Sequence, residues 1–208
     1  MQIFIHFPLP PTTDTMAAGA ALPGLLFCTI ACILLVIVCI SSPVWEKVSF
    51  LDVTNGGETT HFGVFGYTGS GTHIGYAFAP SRLGFTDSKL DSGIIHSLTY
   101  VLVLYPVAAG LAGLAVLFGL CGACYHRAGT VFMSLLAALA TLVTIVVWVI
   151  SMILFSVAKS HVNDHTSGSA KYGNANWIAL GGLASLLIGF CASACGVFGH
   201  YRKHREYY

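Results

Sequence analysis

The sequence predicts an all-α membrane protein: a four-transmembrane-helix bundle with a small extracellular antiparallel β-sheet. Three observations carry that expectation. Charged residues make up 8% of the 208 residues and hydrophobic ones 56%, whereas an ordinary soluble domain carries roughly 25% charged residues. Four long stretches contain no Asp, Glu, Lys or Arg at all. The longest segment between them is rich in β-branched and aromatic residues and is punctuated by glycine turns.

The four uncharged stretches are residues 21–40, 98–120, 130–157 and 177–198. About 20 apolar residues suffice to cross a hydrocarbon core of roughly 30 Å, so each is long enough. Lipid offers no partner to an exposed N–H or C=O group, which makes the spans helical. Around them lie a short N-terminal segment (1–20), a long loop (43–97), a tight turn (121–129), a second loop (158–176) and a short basic tail (199–208). No Lys or Arg precedes the first span, and that span is longer than a signal-peptide core, so it reads as an uncleaved signal anchor. Met16 is an alternative start. A formal net charge of +1 excludes the concentrated basic surface that nucleic acid requires.

An even number of spans puts both termini on one side. Four Lys/Arg (Arg127, Arg202, Lys203, Arg205) lie on the side of the termini and five (Lys47, Arg82, Lys89, Lys159, Lys171) in the two loops. The count alone decides nothing. The clustering of three just past span four favours cytoplasmic termini. Trp45 and Trp177 fall at span ends on one side, and Tyr125 at an opposite end, where amphipathic rings settle at a membrane interface.

Within the long loop, residues 44–53 (VWEKVSFLDV), 59–65 (TTHFGVF) and 73–78 (HIGYAF) are expected as strands. Asn55-Gly56-Gly57 and Gly69-Ser70-Gly71 would form the turns between them. Span three, at 28 residues, exceeds what crossing requires, which predicts either a tilt or a projection that buttresses the sheet. Pro106 lies inside span two, where a kink is tolerated if neighbours satisfy the freed carbonyl. Gly181, Ser185 and Gly189 recur every fourth residue in span four, and Ala109 and Gly113 do so in span two. Such rows let helix backbones approach closely. They serve packing inside the bundle or, alternatively, a partner or a second copy of the chain.

Several segments carry a family resemblance: SSPVW at 41–45, HFGVFGY at 61–67, IGY at 74–76, the second-span run with LYPVAAG at 104–110, and YGNANW at 172–177. In this order they resemble the fungal PalI family, four-span proteins of ambient-pH signalling whose layout is similar to the claudin-like superfamily. The resemblance implies a multi-pass plasma-membrane protein with both termini cytoplasmic. It also implies a non-enzymatic accessory role, assisting the localisation or stability of a seven-span pH sensor. His61, Phe62, Gly63, Phe65, Gly66, Tyr67, His73, Gly75 and Tyr76 are the residues expected to meet that partner. Two features depart from the family: the long loop has no cysteine, so no disulfide staples it, and the tail is short.

The seven cysteines all lie in spans or at their ends. Cys121-x-x-Cys124 lacks the strand–helix context of a redox motif. Cys121, Cys124 and Cys195 are better placed for S-palmitoylation near the cytoplasmic interface, against the alternative that they are small buried hydrophobes. Five of nine histidines fall in the loops, and imidazole is the side chain that ordinarily changes charge between about pH 5 and 8. The spans carry no ionisable residue other than Cys and Tyr, which counts against a transport pathway. No nucleotide, zinc-protease or serine-hydrolase motif is present. Neither a catalytic residue nor a metal or cofactor is therefore expected. Lipid is the one certain partner, and a membrane-domain organiser of the eisosome or cortical-patch type is the alternative function.

Overall fold

The computed structural model describes residues 14–55, 57–72, 74–76, 99–124, 128–165 and 169–203. Side chains are described for the same residues except 14–21, 123, 124, 128, 130, 161, 165 and 195–203. The elements are α1 (Asp14–Cys39), β1 (Leu51–Asn55), β2 (Glu58–Phe62), α2 (Leu104–Cys124), α3 (Ala128–His165), β3 (Ser169–Tyr172) and α4 (Ala175–Lys203). Among the described residues four helices are long and apolar enough to span a membrane. They form a ring in which α1 touches α2 and α4, and α3 touches α2 and α4. Every neighbouring pair is antiparallel, as consecutive crossings require.

Both faces of each helix are apolar, so size rather than polarity decides which face turns inwards. On α1 the buried stripe is Cys28, Ala31, Leu35 and Val38, while Leu22, Leu26, Ile30, Ile33, Val36 and Ile40 stay exposed. The same division recurs on α2, with Ala108, Ala112 and Ala115 inside and Val107, Leu114 and Leu117 outside. Small residues inside let helices approach, and large ones outside meet lipid, which rewards packing rather than burial from water. Helices α1 and α4 are brought together by such small residues. A Cβ on Gly189 would lie 3.1 Å from Cys28 Sγ and 3.3 Å from Gly24 O. Gly113 faces Cys32, and Gly181 faces Leu34, each at 3.7 Å from where a Cβ would sit. Several hydroxyls within the spans bond to their own helix. Thr29, Thr141, Thr144 and Ser185 each donate to the carbonyl four residues back, and so satisfy their hydroxyls without a partner helix.

Pro106 sits in the first turn of α2, so there is no mid-span kink. Its missing N–H would leave Leu102 O unpaired; instead Tyr105 N donates to that oxygen at 3.0 Å. A short helical turn at 99–101 precedes the junction.

The head is a three-stranded antiparallel sheet in the order β2-β1-β3. The hairpin β1–β2 matches the expected first turn, with Asn55 opposite Glu58, but the strands are shorter than expected. Residues 43–48 are turns, closed by Ser42 N to Val48 O and Val48 N to Trp45 O at 3.0 Å each. The third strand differs from the expectation. Ile74–Tyr76 is not a strand, while residues 73, 77 and 78 lie outside the described part. Its place beside β1 is taken by β3, from the second loop, with Val53 opposite Ala170 and Asp52 opposite Lys171.

That exchange follows from the length of α3. Its 38 residues measure about 57 Å at 1.5 Å per residue, nearly twice the hydrocarbon thickness. The helix therefore rises past the membrane and delivers the following strand to the free edge of β1. Most of the segment expected as a second loop is thus helix and strand. Asn163 Oδ1 accepts from Ala170 N at 3.0 Å, and Lys159 Nζ lies 4.3 Å from the centre of the Tyr172 ring. Leu51, Val53, Phe62 and Ala170 form the buried face of the sheet and join one core with the tops of the helices.

Phe50 links the two layers. Its ring stacks on Phe155 of α3 at 5.2 Å and tilts against Tyr105 of α2 at 5.4 Å. Replacing Phe50 by Ala should cost about 3–5 kcal/mol and abolish a single cooperative unfolding transition, read by thermal unfolding in detergent. Tyr105 Oη also contacts Ser151 Oγ at 3.0 Å between α2 and α3. Tyr105→Phe should cost much less, about 0.6 kcal/mol, because hydrogen bonds between membrane helices are individually weak.

Candidate functional site

Alternation along the strands sorts the sheet into two faces. The inward residues are apolar over Leu51, Val53, Phe62 and Ala170, and polar towards the hairpin end, where Thr60 lies opposite Val53 and Glu58 opposite Asn55. The outward ones form two rows across the strands, His61–Asp52–Lys171 and Thr59–Thr54–Ser169. The second row is a line of hydroxyls, with Thr54 Oγ1 and Thr59 Oγ1 3.1 Å apart. The first row is ionisable. His61 Nδ1 lies 2.7 Å from Asp52 Oδ1, both side chains about 30% exposed, and the Ser49 hydroxyl donates to the same carboxylate oxygen.

Beside this row is a shallow, open cleft of about 240 Å³ lined by Glu46, Lys47, Ser49, Asp52, His61 and Asn174. Three segments build it: the turn after α1, the β1–β2 hairpin and the residue leading into α4. Asn174 ties two of them together, donating from Nδ2 to Lys47 O at 3.1 Å. Close backbone contacts fix the same junction. A Cβ on Gly63 would lie 2.0 Å from Ser42 O, and one on Gly173 would lie 2.0 Å from Ser49 O. Neither position accepts a larger residue without moving the chain. The free edge of β2 is closed at His61, whose carbonyl accepts from Thr68 N at 3.0 Å and from Ser42 Oγ at 2.9 Å.

Ser49, Asp52 and His61 are the residue types of a serine-hydrolase triad without its connectivity. The hydroxyl donates to the carboxylate, not to the imidazole, so no base faces it. Among the described residues no three His, Cys, Asp or Glu side chains converge as metal ligands.

The residues that the sequence singles out for partner contact separate into two sets. Phe62, Gly63, Gly66 and Tyr76 are buried. The Phe62 ring packs against Tyr67 at 5.6 Å and Tyr76 at 6.5 Å, and Tyr76 Oη donates to Gly63 O at 2.9 Å. Burial pushes the Tyr76 phenol up from its ordinary range, so it stays protonated and keeps donating. These residues shape the head from within. His61, Phe65, Tyr67 and Gly75 are partly exposed, and His73 lies outside the described residues. At the other end of the bundle Cys121 is an exposed free thiol. Tyr125 and the side chains of Cys124 and Cys195 lie outside the described part. Sequence reasoning did not single out Ser49, Asp52 or Asn174 for a site. Asn174 reaches the cleft only because β3 folds back along β1, and that pairing has no local signal.

The arrangement defines a class: a four-span membrane protein with a β-sheet head set on one end of the bundle, claudin-like in layout. The chain belongs to the SUR7/PalI family, whose description matches residues 20–192. The comparison with curated proteins found no match.

Gly63→Ala and Gly173→Ala should each destabilise the head by about 1–3 kcal/mol or more through overpacking. Gly110→Ala, which meets nothing within 4 Å, should be neutral or slightly stabilising. Thermal unfolding of the three variants side by side checks this.

Proposed function

We propose that this chain is a non-enzymatic accessory protein of the plasma membrane that assists the localisation or stability of a membrane pH sensor in fungal ambient-pH signalling. In this reading both termini are cytoplasmic and the sheet is extracellular. One observation carries it: His61, hydrogen-bonded to Asp52, sits on the water-facing side of a sheet that is packed directly on the helices. The spans hold no charged residue, so they offer a neighbouring protein apolar contact and little polar discrimination. Polar recognition then falls to the head, where a histidine is the side chain suited to changing charge between about pH 5 and 8. Membership of the SUR7/PalI family supports a membrane protein of this kind, and the resemblance of the loop and second-span motifs to PalI proteins supports the pH pathway.

A second reading is a membrane-domain organiser. The exposed aliphatic stripes on α1 and α2 favour it, since surfaces of that kind suit lateral association with lipid and with further copies. It predicts static cortical patches that do not depend on external pH.

The two separate in one experiment. In a fungal strain lacking the gene, a tagged seven-span sensor is imaged and growth is measured at alkaline pH. The accessory role predicts that surface sensor falls severalfold and alkaline growth fails. The parent chain should restore both; His61→Gln, which stays neutral at every pH, should restore alkaline growth but hold the surface sensor at its alkaline level at acid pH. A sensor that stays at the surface with normal alkaline growth rejects the accessory role in favour of the organiser.

A further inference from the structure

We propose that the cleft beside the sheet binds the headgroup of a zwitterionic phospholipid, an ethanolamine-type lipid of the leaflet at the sheet end of the bundle. The proposal does not depend on the pH-pathway reading, because it rests on the depth, charge and size of the cleft.

Depth comes first. α1 ends at Cys39 and α4 begins at Ala175, and the cleft is built from the residues just beyond those ends. Val44 is 66% exposed, Trp45 46% and Trp177 72%. Exposed indoles at span ends settle at the membrane–water interface. Glu46 and Lys47 follow Trp45 directly, and Asn174 precedes Trp177 by less than a helical turn. The cleft therefore opens at the level of the lipid headgroups. The exposed stripe on α1 runs up to Ile40, just before the turn that carries Lys47, and gives acyl chains an apolar surface below it.

Charge selects the headgroup. The lining offers one cation, Lys47, and two carboxylates, Glu46 and Asp52, with His61, Ser49 and Asn174 as further hydrogen-bonding groups; Asp52 is already held by His61 and Ser49, and Glu46 is not. Neither Glu46 nor Lys47 forms an ion pair among the described residues. A phosphodiester takes charge-assisted hydrogen bonds from a lysine, and an ammonium gives them to carboxylates. A headgroup bearing both charges satisfies the lining. An anionic headgroup meets two carboxylates, and an uncharged glyceride leaves Lys47 and Glu46 without partners.

Size gives the third argument. Pockets that enclose a whole small molecule run from roughly 300 to 1,000 Å³. This one, at about 240 Å³, is smaller and open on one side. It suits one polar fragment of a molecule whose remainder lies outside, which is how a lipid would present itself here.

The test uses the full chain purified in detergent and titrated with dihexanoyl phosphatidylethanolamine, followed by tryptophan fluorescence. Three comparison compounds are dihexanoyl glycerol, dihexanoyl phosphatidylglycerol and tail-free glycerophosphoethanolamine. Saturable binding is expected for the ethanolamine lipid, at least tenfold tighter than for each of the three. Lys47→Ala and Glu46→Gln should each weaken it at least fivefold, while Thr59→Ala, on the sheet but outside the cleft, should leave it unchanged. Both cleft residues are exposed, and unchanged unfolding temperatures would establish that the loss is one of binding. Equal binding of dihexanoyl glycerol would mean that only acyl chains are recognised and would overturn the proposal. Equal binding of the tail-free compound would overturn the lipid assignment in favour of a soluble ligand, and parent-like binding by both cleft variants would remove the site.

Discussion

The position of Phe50 is the constraint on which the rest of the molecule depends. Its ring is fully buried between α2 and α3, while its backbone serves the head. Phe50 N donates to Phe62 O at 2.7 Å, and Phe50 O accepts from Gly173 N at 3.0 Å and from Asn176 Nδ2 at 3.1 Å. One residue thus joins β2, the segment after β3, the start of α4 and two of the four helices. A sheet of three short strands is close to the smallest that is stable at all. Planting this ring in the bundle lets the sheet share a core that its own strands are too short to build.

The bundle obeys a different rule from the head. In the head, water decides: Leu51, Val53, Phe62 and Ala170 turn down, and Asp52, Thr54, Thr59, His61, Ser169 and Lys171 turn up, with a period of two. In the membrane both faces of a helix are apolar, and the packing of small residues decides instead. Gly24, Cys28 and Gly189 draw α1 against α4 so closely that their backbones nearly touch. Large aliphatic residues are left outside, where exposure to water would mark an aggregation hazard and contact with lipid is neutral. The long third helix passes through both regimes. Its lower part packs by size and its upper part, from Phe155 to Val162, by burial beneath the sheet.

This difference explains what could be read in advance. The four apolar spans and the β1–β2 hairpin are local signals of composition and spacing, and both survive in the structure. The family was legible too, because its motifs fall at the joints: SSPVW supplies Ser42, whose backbone packs on Gly63, and YGNANW supplies Gly173, Asn174 and Asn176. The third strand was not legible. Ser169–Tyr172 spans four residues, too short for a period of two to stand out, and it pairs with β1 only because α3 carries it there. The cleft depends on the same event. Glu46, Lys47 and Asp52 read as ordinary loop charges until β3 brings Asn174 beside them.

The absence of a cysteine from the long loop takes on a different meaning once α3 is considered. A disulfide stabilises typically by about 2–4 kcal/mol, largely by restricting the unfolded chain. Here the loop is held in other ways. Val48, Phe50, Leu51, Val53, Phe62, Val64 and Tyr76 are all at most 6% exposed, and fully burying even one such side chain contributes about 1.5–3 kcal/mol. Ser41 Oγ accepts from Val64 N at 3.0 Å, and Ser42 Oγ donates to His61 O, so the end of α1 is stitched to β2 without sulfur. The far edge of the sheet is closed by β3, itself pinned to α3 through Asn163 and Lys159. A staple across the hairpin would restrain two strands that the bundle already holds from below. The projecting helix restrains the third, which that staple would not reach, and it does so in any redox environment.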